Sequence, residues 1–261
     1  MSAAKTRYKI WFQGATDRSV HSDYITRLEA HLKAIADPGV SFKFTGVSPP
    51  ASTTHALTEF RMAGAFIRNA VQAEREGYDA VAITHFQDAG LHEAKSAVDI
   101  PVLGLGESTL SYALTLGRKL GLVTINPVFI PWHEDQVTRY GLGERVVGVR
   151  AVNAKVSDFM EAFASKAGFD ALYPKFLREA EVLLDAGADV IVPAGGLPML
   201  AFASARGANI HGAPIVDGLA VLTKMTEMTL QLRELSGLSI SRRSNYARPP
   251  ALALAEFLGQ S

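Results

Sequence analysis

Apolar residues in this chain fall into two rhythms. Short unbroken runs, clearest in Ala80-Val81-Ala82-Ile83 and Val190-Ile191-Val192, carry no polar alternation and predict parallel strands covered on both faces. Between the runs, apolar positions recur at helical spacing, as in Ile25, Leu28 and Leu32. On this pattern the chain opens with a strand over 8–12 and a loop Gln13-Gly14-Ala15-Thr16-Asp17. A helix follows, capped by Ser22 or Asp23, running to about Ile35 and stopped by Asp37-Pro38-Gly39. Residues 40–47 alternate and predict a more exposed strand, whereas 48–54 are too rich in turn and hydroxyl residues to be one. A long helix spans 56–76. Further helices are expected over 108–116, 129–140, most of 157–184 and 224–235, with strands over 120–124 and 144–152. From Ser236 onward, with Arg242, Arg243 and two prolines, the pattern gives an extended arm and a short closing helix, suited to packing on a neighbouring subunit.

One stretch occurs twice. Gly77-Tyr78-Asp79-Ala80-Val81-Ala82-Ile83-Thr84-His85 is matched by Gly187-Ala188-Asp189-Val190-Ile191-Val192-Pro193-Ala194-Gly195. After a helical interval each copy is followed by an apolar phrase led by proline, from Pro101 to Glu107 and from Pro214 to Gly218, and each phrase predicts another strand. Similarity on this scale means a duplicated lobe and not a solenoid of short repeats. The expected fold class is therefore α/β, with two similar lobes, each a parallel sheet flanked by helices, related by a pseudo-two-fold with the site between them. The lobes would cover about 1–107 plus 218–261, and about 108–217. Ligands of parallel sheets sit at the carboxyl ends of the strands, which puts His85 and Gly195, equivalent positions, across one cleft.

Charge narrows the partners. The 261 residues carry 26 basic and 26 acidic side chains without long like-charged blocks, so neither nucleic acid nor a membrane surface is expected as a partner. No apolar run approaches a membrane span, and 1–9 lack a signal-peptide core, so a soluble cytoplasmic protein is expected. Cysteine is absent, which removes disulfides, thiolate metal sites and thiol nucleophiles together.

The loops after the strands offer amides and hydroxyls and are poor in Lys and Arg, which suits a small carboxylate or a neutral cyclic amide. Candidate substrate-binding residues are Gln13, Thr16, Ser52, Thr53, His55, Thr84, Phe86, Thr124, Pro127, Gly195 and Gly196. His85 is the first candidate for proton transfer, with His133 behind it. Glu107, at the end of the Pro101 strand, is a candidate to orient His85. Neither Gly104-x-Gly106 nor Gly195-Gly196 has dinucleotide spacing, no Gly-x-Ser-x-Gly elbow occurs, and nothing completes a metal half-site at His85 and Asp88. Neither a cofactor nor a metal is expected.

Several phrases resemble a known family. Gly187-Ala188-Asp189-Val190-Ile191-Val192 with its glycine loop, and Ala213-Pro214-Ile215-Val216-Asp217-Gly218, are similar to the second half of the hydantoin and allantoin racemases of the aspartate/glutamate racemase superfamily. Leu122-Val123-Thr124, Glu134-Asp135, Arg139-Tyr140-Gly141-Leu142 and the phrase from Asp99 to Glu107 resemble it too, so the likeness runs from about Tyr8 to Leu235. The resemblance implies a homo-oligomeric enzyme in which two cysteines at the ends of the repeated strands flank the stereocentre, one thiolate removing a proton while the opposite thiol returns one. His85 and Gly195 stand at those places, and Gln13-Gly14-Ala15 stands where the family usually carries an Asn-Pro-Asn-type phrase.

One titratable face and one bare face imply single-face acid/base chemistry of lyase, hydrolase, desulfhydrase or tautomerase type. The substrate would be a hydantoin-like ring, thiohydantoin included, or a small substituted carboxylate, with Thr16, Ser52, Thr53 and Thr124 as anchors. The alternatives are a racemase or epimerase using His85 with a second non-thiol base such as His133, and a non-catalytic small-carboxylate binding protein.

Overall fold

The structure, a computed structural model, describes residues 6–51 and 53–260. The chain begins β1 (Tyr8–Gln13), α1 (Ser22–Ile35), β2 (Val40–Thr45), α2 (Ala56–Arg75), β3 (Ala80–Ile83), α3 (Leu91–Ala97), β4 (Val102–Gly104) and α4 (Leu105–Ala113). It continues β5 (Leu120–Thr124), α5 (Phe129–Arg139), β6 (Val146–Ala151), α6 (Val156–Ala164), α7 (Lys166–Asp185), β7 (Val190–Ala194) and α8 (Gly196–Phe202). A two-stranded ribbon, β8 (Asn209–Ile210) and β9 (Ala213–Pro214), precedes α9 (Gly218–Ser236), and α10 (Ala251–Leu258) closes the chain. Two parallel sheets result, ordered β2-β1-β3-β4 and β6-β5-β7. A single parallel bridge from Ile191 to Ile215 stands where a fourth strand of the second sheet would lie, so both sheets follow one plan. Among the described residues no helix is long and apolar enough to cross a membrane.

Strand alternation decides which helix covers which face of the first sheet. Ile10, Phe12, Ala80 and Ala82 pack with Tyr24, Ile25, Leu28 and Leu32 of α1. Trp11, Val81 and Ile83 point the other way, onto Met62, Phe66 and Ala70 of α2. α1 and α2 therefore lie on opposite faces of the β1–β3 pair.

The repeated Gly-x-Asp phrase has a structural explanation. Gly77 (φ +75°) and Gly187 (φ +95°) make left-handed turns that lead into the repeated strands. Two residues on, the Asp79 carboxylate accepts the Lys9 N–H at 2.7 Å, and Asp189 accepts those of Arg118 and Lys119 at 2.9 and 3.0 Å. In each lobe the aspartate thus ties the start of its own strand, β3 or β7, to the start of the neighbouring β1 or β5.

The structure departs from the sequence pattern in three places. The Pro101 phrase is a strand only to Gly104, and α4 begins at Leu105, which puts Glu107 in a helical first turn. The cause is not local: the Asp88 carboxylate accepts the N–H groups of Gly106 and Glu107 at 3.0 and 2.6 Å and caps the helix from a distant loop. The Pro214 phrase is not a full strand, because Pro214 has no N–H and the Ile215 N–H goes to the Ala208 carbonyl. The 157–184 helix breaks at Ser165, whose hydroxyl caps α7 by accepting from the Gly168 N–H. The C-terminal arm is extended and ends in the short helix α10, as the pattern gives, and part of it lies on its own chain: Arg242 donates to the Lys95 and Val98 carbonyls, Arg248 pairs with Asp99, and Leu254 and Leu258 pack on the α2 cluster.

A Cβ at Gly187 would meet nothing within 4 Å, so only its positive φ resists substitution. Gly187→Ala should lower unfolding stability by about 1–2 kcal/mol in denaturant titration. Gly143→Ala, equally uncrowded but without the positive φ, should change it by less than about 0.5 kcal/mol.

Candidate active site

The carboxyl ends of β1, β3, β5 and β7 open on one cleft of about 380 Å³. Its lining includes Gly14, Ala15 and Thr16 after β1, Thr84 and His85 after β3, Thr124 and Ile125 at β5, and Ala194, Gly195 and Gly196 at β7. Phe44, Met62, Phe129 and Leu197 make much of the remaining wall apolar. Among the described lining residues none is Lys or Arg, and the titratable imidazoles and carboxylates are His21, Glu59 and His85 alone.

His85 Nε2 lies 2.7 Å from Glu59 Oε2, with the two side chains 13% and 18% exposed. That bond engages Nε2 and leaves the other ring nitrogen, Nδ1, outside the pair. Burial opposes a charge on the imidazole, but the neighbouring Glu59 carboxylate outweighs it and raises the His85 pKa above its ordinary value. Burial likewise opposes the Glu59 charge, yet the facing imidazolium brings that pKa below the ordinary carboxylate value. The ring also stands edge-on to Phe66, with centroids 5.7 Å apart, which limits its rotation.

On the other side of the β1–β3 pair, His21 enters the cleft just ahead of α1. Its Nδ1 is 2.8 Å from Thr16 Oγ1. Burial lowers the His21 pKa, with Asp17 pulling weakly the other way. Tyr24, one turn on, also lines the cleft. A Cβ on Gly196 would lie 2.8 Å from the Tyr24 hydroxyl oxygen, so glycine is what lets α8 approach.

The second lobe presents a barer wall. Gly195 has φ +147° and ψ +151°, a conformation that disfavours any side chain, and an added Cβ would press on Pro198 at 3.1 Å. As first-turn groups of α8, the N–H groups of Gly196 and Leu197 have no acceptor within the helix. Behind Thr124 runs a buried polar chain. Gln136 Nε2 donates to the Phe86 carbonyl at 2.5 Å and to Asp88 Oδ2 at 3.1 Å, which turns its Oε1 toward His133 Nδ1 at 3.2 Å. His133 Nδ1 must then carry the proton, and Nε2 accepts from Thr124 Oγ1 at 3.1 Å. Burial brings the His133 pKa down to about 4, so its ring is neutral near pH 7.

Of the residues singled out from the sequence, Thr16, Thr53, Thr84, His85, Thr124, Gly195 and Gly196 meet at the cleft. The others do not. Gln13 is buried and spends its amide on Trp11, Asn69 and the Gly14 carbonyl. His55 is exposed and caps α2 by accepting the Leu57 N–H. Pro127 is exposed. Phe86 is fully buried and packs edge-on against His133 at 5.3 Å. His133 is itself sealed behind Thr124 and reaches no open surface. Glu107 is not beside His85: Lys95 holds both its oxygens, at 2.7 and 2.6 Å, and it lines a separate cavity with Arg233. Ser52 lies outside the described residues.

Glu59 and His21 were missed. Their signal was a polar residue continuing an apolar helical stripe to its end. Glu59 precedes Met62, Phe66 and Ala70 on α2, and His21 precedes Ile25, Leu28 and Leu32 on α1.

The sequence profile described as Asp/Glu/Hydantoin racemase matches residues 22–226. The chain is 30% identical to a hydantoin racemase of Pseudomonas sp. (strain NS671) over 79% of this chain and 80% of that one. It is 28% identical to a hydantoin racemase of Rhizobium meliloti over 79% and 81% of the two chains. A crystal structure of allantoin racemase from Pseudomonas fluorescens superposes with a TM-score of 0.75 at 25% identity, covering 92% of this chain and 97% of that one.

The ion pair sets a pH window. His85 is raised when folded, so its contribution is complete below its unfolded pKa, about 6.5, and fades as pH rises through the folded value. Glu59 is depressed, so its contribution is complete above about 4.3 and fades as pH falls through its folded value. Glu59→Gln removes the partner charge and leaves burial of the ring less opposed. NMR titration should therefore find His85 losing its proton at a lower pH in the variant than in the parent; an unchanged midpoint would contradict the pairing.

Proposed function

The chain belongs to the Asp/Glu/hydantoin racemase family, and from that premise we propose that it moves a proton at a ring carbon beside a carbonyl in a hydantoin-like cyclic amide. The observation that carries this reading is the His85–Glu59 pair at the end of β3, the most strongly held acid/base group in the cleft. A carbon acid of this kind needs a group that accepts and returns a proton near neutral pH, and an imidazole steadied by a carboxylate is suited to it. Glu59 fixes the ring through Nε2, and Nδ1 meets the substrate. Negative charge that develops on the ring carbonyl would fall to the first-turn N–H groups at Gly196 and Leu197.

Lining chemistry favours the neutral ring over a carboxylate substrate. A dicarboxylate would meet no Lys or Arg among the described lining residues, only an imidazolium whose charge Glu59 already balances. An apolar substituent on the ring, in contrast, finds Phe44, Met62, Ile125 and Phe129.

Racemisation or epimerisation is the reaction type that agrees with the family. No thiol takes part, since the chain has no cysteine. A second reading, single-face lyase, hydrolase or tautomerase chemistry on the same ring, draws on Gly195, whose backbone leaves one wall without a side chain.

The test is the decay of optical rotation of one enantiomer of 5-benzylhydantoin. His85→Asn should slow it by roughly 10²–10⁴-fold. An unchanged rate would remove His85 from the mechanism.

A further inference from the structure

We propose that His21 is the second proton-transferring group of the cleft, acting on the face of the substrate carbon opposite to His85. The proposal rests on the carbon-acid reading above and adds the residue that reading lacks.

Because successive side chains of a strand point to opposite faces, the two helices that carry polar groups to the cleft approach it from opposite sides of one strand pair. α2 arrives on the Trp11, Val81 and Ile83 face, and its Glu59 holds His85. α1 arrives on the Ile10, Phe12 and Ala82 face, and the loop entering it brings His21. Both imidazoles line the same cleft, together with Gly14, Ala15, Thr16 and Thr84 at the strand ends. A planar ring lying over those strand ends has one face toward each.

Each imidazole has one nitrogen held by the protein and one left over. Thr16 Oγ1 holds His21 Nδ1, and Glu59 Oε2 holds His85 Nε2. Where His21 Nδ1–H donates to Thr16, Nε2 is unprotonated. In the forward direction His21 Nε2 takes the proton from the ring carbon, and the C–H electron pair moves into the carbonyl to give an enolate. His85 Nδ1–H then delivers its proton to the opposite face, the enolate electrons re-form a C–H bond, and the carbonyl is restored. The carbon is inverted, His21 carries a proton and His85 has lost one. The other enantiomer runs the sequence backwards, so atoms and charge balance without an added reagent. The surroundings favour this division of labour. Burial lowers the His21 pKa, whereas the Glu59 carboxylate raises that of His85 against the same effect.

The two enantiomers of 5-benzylhydantoin separate the roles when each is incubated in D₂O and followed by proton NMR. The parent protein should exchange the ring-carbon proton of both. His21→Asn should keep exchange from the enantiomer whose proton faces His85 and lose it roughly 10²-fold or more from the other. His85→Asn should show the mirror pattern. Retained exchange from one enantiomer also reports that the variant has folded with its site intact. If His21→Asn and His21→Gln both exchange the two enantiomers like the parent, or both lose the two together, the proposal is overturned and the His85 reading stands. If the parent exchanges neither enantiomer above the protein-free control, the carbon-acid reading falls and this proposal with it.

Discussion

A buried carboxylate obliges the surrounding chain to supply donors, and in this molecule Asp88 imposes that obligation on two helices at once. It sits in the loop after β3 with φ +55° and is almost wholly buried. Gly106 and Glu107 of α4 donate their N–H groups, and the Gln136 amide of α5 and the hydroxyl of Tyr140, just past its end, donate as well, the latter at 2.7 Å. Burial still pushes its pKa up to about 6, against the pull of these donors. The result is a fixed relation between the loop that carries His85 and α5, the helix that follows β5. Gln136 extends it: once its amide N–H groups are turned to Asp88 and Phe86, only its oxygen is left for His133, and His133 in turn holds Thr124. The floor of the cleft is set from behind by this chain.

Two similar lobes would be expected to present similar walls, and they do not. Matching Gly-x-Asp turns lead into β3 and β7, and matching strand ends reach the cleft, but one ends in an imidazole paired with Glu59 and the other in a glycine whose backbone resists a side chain. Acid/base groups are therefore concentrated on the first lobe. The second lobe supplies apolar surface and helix-end amides. The proposed chemistry follows this division, with proton movement on one lobe and the charge of the ring carbonyl on the other.

The duplication was legible because it rests on local rules. Glycine at a positive φ, aspartate two residues later and an unbroken apolar run leave the same mark in both copies. His85 and Gly195 could be placed for the same reason, as residues that follow a recognisable strand. What escaped depends on contacts between distant segments. The sequence puts Glu107 at a strand end because nothing near it reveals that Asp88, nineteen residues earlier, starts a helix there. The partner of His85 could not be read from its own neighbourhood, since Glu59 comes from the preceding helix. His21 was overlooked because a histidine just ahead of a helix gains meaning only when that helix is known to point at the cleft. His133 had suggestive neighbours in sequence, but burial behind Thr124 takes it out of contact with any ligand.

The measurement that reaches the central claim most directly uses the unmodified protein and one enantiomer of 5-benzylhydantoin carrying deuterium at the ring carbon, followed by proton NMR in ordinary water. Imidazole proton transfer in this cleft predicts a growing ring-carbon proton signal above the protein-free control, with the ring intact and, by chiral chromatography of the same samples, the other enantiomer accumulating. Deuterium retained in an intact ring, or product signals from a ring opened with its deuterium still in place, would contradict the account.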